Sequence, residues 1–123
     1  MLESIDPDDI RICFDGLLDI GFSYDITDMP RKRHDTQYIM VEIIKINGNS
    51  RDFTRSDDVE IPFYWDNPIR DEIKSAVGKA DEMGYMVNAT EAVSVSGKGR
   101  TIDIVDIEPG CKLTRIEMFF KEK

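Results

Sequence analysis

Three carboxylates near the end of one predicted strand are the residues best suited to metal chemistry. Asp103, Asp106 and Glu108 lie close together in the chain, and one or two carboxylates with water can hold Mg²⁺. Alternation along a strand, however, places Asp103 on the opposite face from Asp106 and Glu108. No lysine follows in the arrangement that a metal nuclease needs. A small metal-dependent hydrolase is therefore the weakest of three hypotheses, and we assign no metal ligand and no cofactor.

Histidine and cysteine do not form a recognisable nucleophilic pair. His34 is the single histidine and lies among basic residues, which disfavour its charged form. Cys13 falls at an apolar position of a predicted helix, and Cys111 lies in a predicted turn, with two free thiols favoured over a disulfide bridge between them. The chain also lacks a Gly-x-Ser-x-Gly elbow and a dinucleotide-binding fingerprint. We assign no catalytic residue.

Acidic residues follow the outer face of a predicted first helix. Asp8, Ile12, Asp15 and Asp19 recur at helical spacing opposite the apolar stripe. An isoleucine among aspartates is unusual for a face that only meets water, and Gly16 beside it costs about 1 kcal/mol relative to alanine in a helix. Two interpretations stay open: a solvated acidic face, or a surface that a partner approaches closely.

A second predicted helix repeats this pattern. Its outer side carries Asp71, Asp81 and Glu82 together with Lys74 and Gly78. Spaced carboxylates can imitate phosphates and occupy the cationic groove of a nucleic-acid-binding protein. The leading hypothesis is therefore a non-enzymatic protein that binds a protein partner with a basic surface. Small inhibitors or regulators of nucleic-acid-handling machinery, including virus-encoded ones, belong to this class.

Basic residues in the predicted loops favour a different partner. Arg31, Lys32 and Arg33 form one group, and Lys98 and Arg100 flank a glycine in a hairpin turn. If these loops lie at equivalent hairpin ends, they could together bind a phosphate or a nucleic-acid backbone. The acidity of the whole chain weakens its attraction to nucleic acid. Nucleic-acid or phosphate-ligand binding is therefore the second hypothesis.

Net charge is divided unevenly along the chain. The 123 residues include 25 acidic and 16 basic ones, for a net charge of −9. Residues 1–30 sum to −7 and residues 56–95 to −6, whereas residues 31–55 sum to +3 and residues 96–123 to +1. Helices on one face of a sheet would therefore make the molecule electrically bipolar, with acidic helices opposite a neutral-to-basic sheet and its loops.

Hydrophobic spacing and turn residues predict the elements that must position these side chains. The predicted helices begin at Asp6-Pro7 and Asp66-Asn67-Pro68 and end at Gly21 and Gly84; the predicted strands span 22–26, 38–46, 86–96, 101–108 and 112–120, and Pro62 limits 59–65 to an edge strand or loop. The order α-β-β-(β)-α-β-β-β indicates an α+β fold, a two-layer sandwich of two amphipathic helices on a mostly antiparallel sheet of about five or six strands.

Length and composition predict a single domain over residues 1–123. No apolar run approaches the roughly 20 residues of a membrane helix, and the acidic first residues do not resemble a signal peptide. We therefore expect a cytoplasmic protein without membrane association, of undetermined oligomeric state. Both predicted helices end in a glycine followed by an aromatic residue, at Gly21-Phe22 and Gly84-Tyr85. Either an internal α-β-β repeat or ordinary helix capping explains this, and capping is the simpler explanation.

Overall fold

Residues 5–29, 37–46, 60–94, 99–101 and 106–123 are described in a computed structural model of the chain. Their helices are α1 (Pro7–Phe14), a 3₁₀ helix (Asp15–Ile20) that continues α1, and α2 (Asn67–Glu82). Their strands are β1 (Phe22–Met29), β2 (Tyr38–Ile46), β3 (Glu60–Ile61), β4 (Phe63–Tyr64), β5 (Tyr85–Ser94), β6 (Gly99–Thr101) and β7 (Lys112–Glu122).

Five of these strands form one antiparallel sheet in the order β1-β2-β7-β5-β6. The strand latest in the chain, β7, lies at the centre and pairs with both β2 and β5. Two helices and an antiparallel sheet in this chain order confirm the predicted α+β class.

The short strands β3 and β4 lie on either side of Pro62 and pair with different neighbours. Ile61 in β3 is opposite Lys45 of β2, and Phe63 in β4 is opposite Leu113 of β7. The chain changes its pairing partner at Pro62. Because proline has no N–H, no backbone N–H is left without a partner at that residue. The segment thus continues the sheet beyond the end of the direct β2–β7 pairing, and the predicted edge strand is two short strands instead.

Both helices pack on one face of the sheet and share one hydrophobic core. Ile10 of α1 and Ile73 of α2 are fully buried, as are Val41 of β2 and Met118 of β7. Asp6 caps α1 by accepting a hydrogen bond from the Asp8 amide at 2.9 Å, and proline follows at the first helical position as predicted. The apolar stripes therefore point inward and leave the acidic positions on the outside.

Two predicted elements differ from the structure. The first helix is α-helical only to Phe14 and then tightens into the 3₁₀ helix, which contains Gly16, the residue with the lowest helix propensity in that stretch. The predicted strand 101–108 does not extend through its described end, where residues 106–108 are not in a strand and a turn follows at Pro109–Gly110. Here the chain must bend so that Gly110 can donate to the Trp65 carbonyl at 2.7 Å.

The molecule contains two α-β-β halves related by an approximate twofold axis. The halves are α1-β1-β2 and α2-β5-β7, and exchanging them reproduces the sheet order β1-β2-β7-β5. Any antiparallel pairing, including β2 with β7, is compatible with a twofold axis between its strands. The registers of β1 on β2 and of β5 on β7 would place such an axis near Val41 and Met118.

The strand register of the two halves also agrees. Placing Gly21 on Gly84 equates Phe22 with Tyr85, and their cross-strand partners are Lys45 and Glu122. That equivalence places Val41 on Met118, and these two residues are opposite each other in the β2–β7 pairing. The agreement extends to Val87, after which a bulge interrupts the β5–β7 pairing. The strand order and these registers are those that an internal α-β-β repeat would produce.

Candidate protein-binding surface

The outer side of the helix layer carries every residue predicted for the acidic partner surface. We call this the acidic helix surface, and all its members are exposed: Asp8, Ile12, Asp15, Asp19, Asp71, Asp81 and Glu82. Helices α1 and α2 contact each other and run antiparallel, since the Gly16 end of the first lies at Glu72 while Cys13 lies 4.0 Å from the sulfur of Met83. The structure thus brings the two predicted acidic faces into one layer.

Ile12 is the exposed large apolar residue at the middle of α1. Its exposed fraction is 56%, although burial of an aliphatic side chain usually stabilises a protein. One helical turn on either side are the carboxylates Asp8 and Asp15. An apolar side chain framed by charges resembles the centre of an interface with a polar rim.

Ion pairs only partly compensate the negative charge of this layer. Arg11 pairs with Asp8 within α1, and Lys123 pairs with Asp81 at the end of α2. Both pairs are exposed, so each contributes little stability. Residues 5–20 and 66–82 together hold ten acidic and four basic residues. The helix layer therefore remains strongly negative.

The two helical glycines have different surroundings. A Cβ atom on Gly16 would overlap the carboxylate of Glu72, so this glycine faces α2 rather than an outside partner. Gly78 is exposed, and a Cβ atom there would meet nothing within 4 Å. The interpretation of both glycines as outer-face positions is thus wrong for Gly16, because its Cβ direction points at α2, and holds for Gly78.

Two tyrosine–carboxylate hydrogen bonds attach α1 and its 3₁₀ extension to the sheet. The Tyr85 hydroxyl donates to Asp9 Oδ2 at 2.7 Å, and the Tyr24 hydroxyl donates to Asp15 Oδ1 at 3.0 Å. Burial first, and then the hydrogen bond to a carboxylate, raise the pKa of each tyrosine to about 12. Residue spacing along the chain does not predict these contacts, since each tyrosine and its aspartate lie on different elements.

The residues of the two alternative hypotheses are not assembled in the described part of the chain. Arg31, Lys32, Arg33 and Lys98 lie outside the described residues, and the side chain of Arg100 in β6 is not among the described ones. Asp103 also lies outside, whereas Asp106 and Glu108 are exposed just before the turn at Pro109–Gly110. Among the described residues, no three His, Cys, Asp or Glu side chains form a group that could hold a metal ion.

A row of carboxylates crosses the sheet face that points away from the helices. Asp25 is opposite Glu42, Glu42 is opposite Glu117, and Glu117 is opposite Glu91, on four adjacent strands. Arg115 lies 4.0 Å from Glu42 and 3.8 Å from Glu117. The prediction that the sheet surface is neutral to basic is wrong for this row. Charges summed by position in the chain do not show which strands become neighbours in the sheet.

The cysteines and the aromatic residues before α2 have mainly structural positions. Cys13 and Cys111 are both free thiols, and burial raises the pKa of the Cys13 thiol. Phe63 and Trp65 are buried in the core, while Tyr64 is 57% exposed and lies beside the ammonium group of Lys112. No helix in the described ranges is long and apolar enough to span a membrane.

These features define an α+β protein with an acidic, two-helix outer layer. No protein-family model matches the chain, and neither the curated proteins nor the solved structures contain a match.

Proposed function

We propose that this chain is a non-enzymatic, cytoplasmic binding protein that occupies a basic protein partner through the acidic helix surface. The observation that carries the proposal is the exposed Ile12 side chain between exposed carboxylates on a layer made of two helices in contact. The exposed carboxylates would attract the partner, and Ile12 would supply the apolar anchor that an interface centre needs.

The class of partner follows from the resemblance of this surface to the phosphate backbone of a nucleic acid. Carboxylates held at intervals on rigid helices present fixed negative charge, as phosphates do along a nucleic acid. A nucleic-acid-handling protein has a matching cationic surface, so occupying that surface would block it. Inhibition or regulation of such machinery, in a virus-encoded setting among others, is the form of the proposal that these charges support best.

Charge reversal on the first helical segment tests the proposal. The variant Asp8→Lys, Asp15→Lys, Asp19→Lys should capture at least about tenfold less partner from lysate than the wild type does. The reason is that attraction becomes repulsion across the interface. A matched control, Asp25→Lys, Asp106→Lys, Glu108→Lys, makes the same charge change at exposed positions outside the helix layer. Circular dichroism should show that both variants are folded.

Two results would contradict the proposal. Equal losses in the helix variant and in the control would mean that only total charge matters, and unchanged capture by the helix variant would mean that the partner binds elsewhere. Binding of the unmodified protein to nucleic acid in a low-salt gel-shift assay would instead favour the basic-loop hypothesis.

A further inference from the structure

We infer that Met83 is a site of reversible oxidation, and that its sulfoxide form loosens the contact between α1 and α2 and exposes the thiol of Cys13. The inference goes beyond the proposed function and does not depend on it. It rests on the contact between the sulfur of Met83, the residue that follows α2, and the buried side chain of Cys13 in α1.

Met83 combines an exposed position with a contact to the interior of the protein. It is 42% exposed, so a small oxidant can reach it, yet its sulfur lies 4.0 Å from Sγ of the fully buried Cys13. Met86 is exposed to nearly the same degree, at 41%. It follows the buried Tyr85 on β5, so strand alternation directs it away from the helices. The two methionines therefore differ in what they contact rather than in exposure.

Oxidation changes the polarity of the Met83 sulfur at this contact. A lone pair of the thioether sulfur attacks one oxygen of hydrogen peroxide, the O–O bond breaks and water leaves, so the sulfur is oxidised and the peroxide is reduced. The product is a polar sulfoxide in place of a flexible apolar group. Because a polar group is disfavoured against an apolar interior, we expect the sulfoxide to turn towards water and to leave Cys13. Reductases specific for methionine sulfoxide reverse the change.

The loss of this contact opens one end of the helix pair. Gly16 lies against Glu72 at the other end, where no methionine takes part in the contact. The opening is therefore local rather than a global unfolding. Burial raises the pKa of the Cys13 thiol, and a buried thiol reacts slowly with disulfide reagents. The reactivity of Cys13 thus reports whether Met83 still covers it.

Labelling of Cys13 with a chromogenic aromatic disulfide tests the inference. The full chain carries Cys111→Ser, which removes the other free thiol. Dilute hydrogen peroxide oxidises the protein, a thiol reductant is then added and removed to restore any oxidised cysteine, and mass spectrometry identifies the oxidised methionines. Met83→Leu cannot form the sulfoxide, and Met86→Leu is the matched control. Circular dichroism shows that each protein is folded before and after oxidation.

We expect oxidation to speed the labelling of Cys13 at least about tenfold, equally with Met86→Leu and not at all with Met83→Leu. Treatment with the reductases should restore slow labelling, which decides the question without a change at position 83. An absence of oxidation at Met83, or unchanged labelling of the oxidised protein, would overturn the inference. A gain that persists with Met83→Leu would do so as well. Since the assay contains no partner, its result leaves the proposed function untouched.

Discussion

The Tyr85 hydroxyl makes one of the contacts between the first half of the molecule and the second. Tyr85 begins β5, yet it donates its hydrogen bond to Asp9 on α1. The equivalent residue in the other half is Phe22, which has no hydroxyl to donate. This contact is therefore specific to one end of the helix pair. A hydrogen bond to a carboxylate is stronger than one between neutral groups.

Removing this hydroxyl should change both stability and its dependence on pH. We expect Tyr85→Phe to lower the free energy of unfolding by about 1–2 kcal/mol at neutral pH. The pKa of Tyr85 is about 12 in the folded chain and about 10 in an unfolded one. The stabilisation is therefore complete below pH 10 and is lost as pH rises from 10 to 12.

Urea unfolding across that pH range provides the measurement. The difference in free energy between wild type and Tyr85→Phe should shrink from pH 10 to pH 12. Tyr64→Phe is the control, since the Tyr64 side chain is mostly exposed, and it should leave the stability nearly unchanged. A constant difference between wild type and Tyr85→Phe at all pH values would contradict this assignment.

Individual side-chain contacts were the least predictable features of the sequence. The exposure of Asp8 and Ile12 followed from helical spacing, because a helix fixes the direction of each side chain. The contact between Gly16 and Glu72 depends on how two helices pack, and nothing local encodes it. For that reason Gly16 was assigned to the outer face, whereas Gly78 was assigned correctly.

At the scale of elements, α2 contains a glycine that lowers the stability of its own helix. Gly78 lies in the interior of α2 and has open space around it. We expect Gly78→Ala to raise the free energy of unfolding by about 1 kcal/mol, since alanine is the better helix former. The same change should weaken partner binding if a partner approaches this side of α2 closely.

Gly84 is the control for that prediction. Its φ angle is +95°, a region that alanine rarely adopts, so Gly84→Ala should destabilise the protein. Urea unfolding measures both changes, and a titration with the captured partner measures binding. A stabilised Gly78→Ala variant with unchanged binding would show that the partner does not approach Gly78.

Element types were predicted better than element ends or partners. Capping residues and apolar spacing predicted α2 and β2 because both signals are local. The change to 3₁₀ geometry after Phe14 is marked by no side-chain cap, although Gly16 lies within it. The turn at Pro109–Gly110 accompanies a hydrogen bond from Gly110 to Trp65, which lies far away in the chain. The row from Asp25 to Glu91 depends on strand register, which the spacing of charges along one strand does not reveal.

At the scale of the whole molecule, the two halves share one sheet and one core. Strands β2 and β7 belong to different halves and pair with each other at the centre of the sheet. We therefore expect the chain to unfold in one cooperative transition, as the predicted single domain requires. Far-ultraviolet circular dichroism and the fluorescence of Trp65, which is buried beside the start of α2, should give the same midpoint in urea.

Two separate midpoints would contradict that prediction and would indicate that one half unfolds before the other. The variant Val41→Ala provides a further check, because Val41 is fully buried and lies next to the axis. It should shift both signals together. A shift confined to one signal would mean that the two halves unfold as separate cooperative units.

The central position of β7 has a consequence for the chain as it is being synthesised. Strands β2 and β5 do not pair with each other; each pairs with β7, which lies at residues 112–122. Until the ribosome has released those residues, β2 and β5 each have an unpaired edge, because both of them pair with β7. Unpaired edges of this kind are sites of misassociation, so the interval before β7 emerges is when the chain most needs protection by a chaperone.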